Sequence, residues 1–76
     1  MKELIHYIVT ALVDQPEEVR VTETEQDDTI IVELTVAKGD LGKVIGKQGR
    51  TARAMRSLLS AAAGKINKRS RLEIME

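Results

Sequence analysis

The stretch that decides the fold is Val44-Ile45-Gly46-Lys47-Gln48-Gly49-Arg50. Two glycines separated by two residues follow an apolar pair, and basic side chains surround them. Because glycine has no Cβ, the backbone of another molecule can approach such a turn closely. A basic, glycine-flanked turn between helices therefore suits a phosphodiester chain.

Upstream of this turn, the sequence pattern predicts a helix and two strands. Apolar residues recur at helical spacing over residues 2–13, and Pro16 stops that helix. Valine and threonine favour a strand over residues 19–24, and residues 25–28 read as a hairpin loop. The second strand alternates strictly and places one apolar set on a single face: Ile30, Val32, Leu34 and Val36.

The elements next to the turn are two helices and a final strand. Asp40 is expected to cap a short helix that Gly46 ends. Gly49 opens a longer helix that reaches about residue 64 or 65, and residues 67–70 form a basic connection. The last strand then alternates, with Leu72 and Ile74 directed inward.

The predicted order is helix, strand, strand, helix, glycine turn, helix, strand. A strand–helix–helix–strand unit is a crossover, so the last strand should run parallel to the second. This order resembles the type II KH fold of prokaryotes. Residues 42–51 resemble the small bacterial single-domain KH RNA-binding proteins, the KhpA-like family. The resemblance covers the whole chain and implies one α+β domain over residues 1–76, with a three-stranded mixed sheet and the helices on one face.

The KH resemblance implies a groove that holds about four nucleotides of single-stranded nucleic acid. The glycine turn and its flanking helices would form one wall, and the central strand with the hairpin side the other. The first amides of the long helix would be available to phosphate oxygens. Ala52 stands where the family often has a large aliphatic, which implies a shallower groove or closer helix packing. The expected RNA-binding residues are Lys43, Val44, Ile45, Gly46, Lys47, Gln48, Gly49, Arg50 and Arg53.

The charge distribution is strongly asymmetric although the formal net charge is zero. Residues 1–40 contain three basic and ten acidic side chains, whereas residues 41–76 contain nine basic and two acidic ones. Such a dipolar domain can present a basic face to a polyanion. Charge alone fits a merely solvated surface equally well, and its coincidence with the glycine turn favours nucleic acid. Tyr7 is the only aromatic residue, so base stacking on an aromatic platform is excluded.

Other chemistries find little support in the sequence. There is no cysteine, and His6 is the only histidine, so we predict no catalytic residue, no metal site and no cofactor. A Walker A loop would require glycine at position 41, where Leu41 stands. No apolar run approaches the roughly 18 residues that a membrane span needs. We read the chain as complete, cytoplasmic and without a signal peptide.

The long helix has an apolar arc wider than one sheet needs. One face is predicted to carry Ala52, Met55, Leu59, Ala62 and, if the helix extends that far, Ile66; the adjacent face carries Ala54, Leu58 and Ala61. The second face predicts contact with a protein partner. The alternative is that its alanines are there only because alanine is a good helix former that tolerates exposure.

The resemblance also bears on partners and biology. KhpA-like proteins form homodimers and pair with a larger KH-containing protein, KhpB (Jag or EloR). The family implies an RNA chaperone or post-transcriptional regulator linked to cell elongation and envelope synthesis. The alternative is a protein-interaction subunit that acts through the long helix and has only incidental RNA affinity.

Overall fold

The chain forms three helices and the three strands of one sheet. The computed structural model describes residues 1–75. Its helices and strands are α1 (Lys2–Leu12), β1 (Arg20–Gln26), β2 (Thr29–Thr35), α2 (Leu41–Ile45), α3 (Arg50–Gly64) and β3 (Arg69–Ile74). This order confirms the predicted α+β fold, and the boundaries of α1 and α3 lie within a residue of those expected.

The sheet has the strand order β1-β2-β3. β1 and β2 are antiparallel and β3 runs parallel to β2, which confirms the predicted crossover. Alternate residues of β2 are buried, namely Ile30, Val32 and Leu34. Because side chains alternate between the two faces of a strand, only one face of the sheet is covered by helices.

The core lies between that face and the three helices. Ile5 and Val9 of α1 and Met55 and Leu59 of α3 are fully buried against the sheet. The expected core positions at the end of α3 were wrong. Ala63 rather than Ala62 is buried, and Ile66 follows the end of the helix and is 53% exposed.

The hairpin between β1 and β2 is tighter than expected. We predicted a four-residue loop over 25–28, but only Asp27 and Asp28 lie between the strands. Both have positive φ angles, 51° and 62°. Two consecutive left-handed residues match the right-handed twist of the flanking strands, so β1 extends to Gln26. The amide of Arg69 donates to the Asp28 carbonyl at 2.9 Å, so β3 begins inside the predicted connection.

Asp40 precedes α2, but its carboxylate does not cap that helix as expected. The side chain is buried and accepts two backbone hydrogen bonds from the end of α1, from Asp14 N at 3.2 Å and Gln15 N at 3.0 Å. The two oxygens therefore accept from two consecutive amides of the segment that follows α1. This contact joins the exit of α1 to the entry of α2 and so positions the glycine turn that follows.

Candidate nucleic-acid interface

The glycine turn is built from three residues with positive φ. Gly46 has φ 79° and ψ 169°, Gln48 has φ 58°, and Gly49 has φ 73°. Gly46 ends α2 by donating its amide to the Gly42 carbonyl at 2.9 Å. A single turn of 3₁₀ helix, Lys47–Gly49, then reverses the chain and leads into α3.

The two glycines are required for different reasons. A Cβ on Gly46 would overlap the Thr51 hydroxyl and lie 2.7 Å from the Thr51 Cβ, and its backbone is in a region that is essentially restricted to glycine. A Cβ on Gly49 would meet no atom within 4 Å. Gly46 thus permits the turn itself, whereas Gly49 leaves open space above the backbone.

We expect Gly46→Ala to destabilise the domain by about 2 kcal/mol, because it adds backbone strain and a clash with Thr51. Gly49→Ala is the matched control and should cost only about 1 kcal/mol, since its left-handed strain is partly offset by a less flexible unfolded chain. Urea unfolding of the two variants measures the difference. Equal losses of stability would contradict the assigned roles.

The turn uses one of the amides that we expected to be available at the start of the long helix. Arg50 N donates to Lys47 O, and Gly49 N, which precedes that helix, donates to Gly46 O at 3.0 Å. The start of α3 therefore has fewer free donors than an ordinary helix end. Charge at this turn has to come chiefly from side chains.

The predicted polar side chains lie in two places. Lys47 and Gln48 are exposed at the tip, and two arginines hold Gln48: Arg50 donates to its side-chain oxygen at 3.2 Å and Arg53 to its carbonyl at 3.4 Å. Lys43 lies instead at the junction of α1 and α2, where its Nζ is 3.2 Å from an Asp14 carboxylate oxygen.

Of the two apolar positions predicted for the groove, Ile45 and Val44, only Ile45 lines it. Val44 is fully buried in the core and offers no surface to a ligand. Val44 instead packs in the core two residues before Gly46 and so anchors the end of α2 at the turn.

Beside the turn is a groove of about 370 Å³. It is lined by Ile45, Gly49, Ala52, Arg53, Arg56 and Ile74. Its second wall is therefore β3, at the edge of the sheet, and not the central strand as expected. The apolar side chains of β2 that face the helices, Ile30, Val32 and Leu34, are buried beneath them, so they cannot line an open groove. The small Ala52 is itself buried and forms part of the groove lining.

Sequence reasoning missed Arg56 and Ile74. The guanidinium of Arg56 reaches across to β3 and donates to the Leu72 carbonyl at 3.3 Å. A signal was available, because Arg53 and Arg56 are three residues apart and share one helix face. No such signal existed for Ile74, whose place beside the groove depends on how β3 docks next to α3.

Within residues 1–75, no three His, Cys, Asp or Glu side chains are grouped so that they could hold a metal ion. Over the same residues, no helix is both long and apolar enough to cross a bilayer.

Comparisons with known proteins agree with this architecture. Residues 2–74 match the family model for the KH domain of KhpA and KhpB. The chain is 58% identical to "RNA-binding protein KhpA" of Chlamydia trachomatis, over 100% of this chain and 97% of that protein. It is 51% identical to the protein of that name from Halalkalibacterium halodurans over the full length of both, and 50% identical to that of Aquifex aeolicus over 100% of this chain and 96% of the relative. No solved structure gives a significant match.

Proposed function

Because this chain belongs to the KhpA/KhpB KH-domain family, we propose that it binds single-stranded RNA in the groove between the glycine turn and β3. The observation that carries the proposal is the open space above Gly49, next to the exposed tip formed by Lys47 and Gln48. A phosphate can approach the backbone there, while Lys47 supplies the opposite charge.

The groove chemistry supports a sugar–phosphate grip with little base specificity. Ile45, Ala52 and Ile74 offer aliphatic surface to bases, and Arg53 and Arg56 flank it with positive charge. Without aromatic stacking, the free energy per base is small, so binding depends strongly on the phosphates.

The cellular role that we propose follows from the family resemblance. In it the protein acts in the cytoplasm without catalysis, as an RNA chaperone or post-transcriptional regulator linked to cell elongation and envelope synthesis. Broad, modest RNA affinity suits such a role.

The test compares single-stranded RNA with a duplex of equal length at several salt concentrations. We expect tighter binding to the single strand. With three or four phosphates neutralised, the slope of log K against log salt should be about −2 to −3. Fluorescence anisotropy with the purified protein measures both quantities, and a flat salt response or a preference for the duplex would refute the proposal.

A second candidate function is that of a dimerising interaction subunit. The observation that favours it is an exposed apolar face on α3, where Leu58 is 49% exposed and Ala54 and Ala61 are also exposed. Two small residues beside a leucine allow another helix to approach closely, as in a symmetric pair. The proposed occupant is a second copy of the chain, and a larger KH-containing protein is the alternative partner.

We expect Leu58→Glu to convert a dimer into a folded monomer, because it places an unpaired carboxylate in the interface. Ser60→Glu, at an exposed position on a different side of α3, is the matched control and should leave the dimer unchanged. Sedimentation measures the mass, and thermal melting verifies that both variants fold. A parent protein that is monomeric at high micromolar concentration would refute the homodimer.

A further inference from the structure

We propose that the RNA strand continues beyond the groove into a second phosphate-binding subsite between α3 and the outer edge of β3, which we call the edge trough. This inference rests on the proposed RNA-binding function and extends its footprint. The edge trough has a volume of about 410 Å³ and is lined by Arg56, Ser60, Ser70, Arg71, Leu72 and Glu73. Its volume is in the range of sites that hold small ligands.

The edge trough adjoins the groove, and Arg56 lines both. Ile74 lines the groove, and Arg71 lines the edge trough three residues earlier on β3. At the rise of a β-strand this separation is about 10 Å along the same edge. A single extended strand that leaves the groove therefore has a direct path along β3.

The backbone of β3 is suited to follow such a strand. The amides of Arg69 and Met75 donate to Asp28 and Leu34, on the side of β2. Because the direction of backbone groups alternates along a strand, those of Leu72 lie on the outer edge, and the Leu72 carbonyl is indeed reached there by Arg56. The edge trough thus combines edge backbone groups with two serine hydroxyls and two arginines, which are typical partners of phosphates and ribose hydroxyls.

The cation that we assign to the new subsite is Arg71. Its guanidinium is 2.8 Å from a Glu73 carboxylate oxygen, and the side chains are 62% and 37% exposed, respectively. An ion pair this exposed contributes little free energy, so a phosphate can replace Glu73 as the partner of Arg71. Glu73 thus competes with the RNA for Arg71.

The test measures binding of a four-nucleotide and an eight-nucleotide single-stranded RNA of the same repeated sequence. Arg71→Ser should weaken binding of the longer RNA about fivefold, the upper range for one exposed ion pair. Binding of the shorter RNA should not change. The salt slope for the longer RNA should become shallower by about 0.7, as expected for one lost phosphate contact. Arg20→Ser, on the opposite edge strand β1, is the matched control. It should not change the affinity for one RNA more than the affinity for the other.

A reciprocal variant tests the competition. Glu73→Gln should strengthen binding of the longer RNA only, because it frees Arg71 while leaving a side chain of the same shape. Glu18→Gln makes the same change in net charge at an exposed position next to β1 and should not discriminate between the two lengths.

The outcomes separate this inference from the proposed function. If Arg71→Ser leaves the longer RNA unaffected, or weakens both RNAs equally, the second subsite is refuted and binding at the glycine turn stands. If substitution of Lys47 and Gln48 by aspartate leaves binding of the shorter RNA intact, the proposed function fails, and this inference fails with it.

Discussion

Replacing Lys47 and Gln48 together by aspartate is expected to lower the affinity for single-stranded RNA about 100-fold. The change removes one positive charge and places two carboxylates at the tip of the turn, where the phosphates are proposed to pass. Repulsion of about 3 kcal/mol corresponds to this loss when two charges act at a partly desolvated surface. Fluorescence anisotropy with a short single-stranded RNA measures the affinity.

The domain should remain folded in this double variant. Lys47 and Gln48 are exposed, and Gln48 has a left-handed backbone that aspartate adopts more readily than glutamine does. Thermal melting should therefore change little.

The chain offers a closely matched control, Lys65→Asp with Asn67→Asp. These residues are also exposed, the charge change is the same, and Asn67 has the same φ of 58° as Gln48. They follow the far end of α3, about 22 Å from the turn at the rise of an α-helix. Equal losses of affinity in the two double variants would show that net charge matters and the turn does not.

Asp40→Ala is expected to reduce the free energy of unfolding by about 3 kcal/mol. The variant leaves the amides of Asp14 and Gln15 without the charged acceptor that now binds both, and hydrogen bonds to charged groups are among the stronger ones. A domain of 76 residues has a total stability of about 4–11 kcal/mol, so this is a large share of it. The melting temperature should fall by roughly 12–24 °C.

Two other variants identify the cause of this loss. Asp14→Ala removes a carboxylate of the same charge that makes only an exposed ion pair with Lys43, so it should cost less than about 1 kcal/mol. Asp40→Asn keeps one acceptor but turns an NH₂ group toward the other amide. Its loss in the free energy of unfolding should lie between those of Asp14→Ala and Asp40→Ala. If Asp14→Ala were as destabilising as Asp40→Ala, the two hydrogen bonds to Asp40 would not be the reason.

The element order and the sheet could be predicted from the sequence because they depend on local periodicity and on glycine. The alternation of Ile30, Val32 and Leu34 defines a strand with one buried face before any partner is known. Gly46 and Gly49 define the turn because their backbone conformations exclude most side chains. The tip residues Lys47 and Gln48 could be placed for the same reason, since a turn at the surface exposes its central side chains.

The tertiary structure decided the features that join distant parts of the chain. Asp40 reads as a helix cap in the sequence, but its oxygens are closer in space to the amides at the end of α1, which lie 25 and 26 residues away. Similarly, Val44 and Ile45 are equivalent as apolar residues, and only the packing of α2 buries one and leaves the other at the groove.

Tertiary packing also determines which strand forms the second wall of the groove. The sequence by itself determined the order of the strands and that β3 runs parallel to β2. The pattern within a strand carries no information about which strand borders an open groove, because that depends on which sheet edge the helices leave accessible. Packing of α3 over β3 brings Ile74 and Arg56 together, although they are 18 residues apart in the sequence.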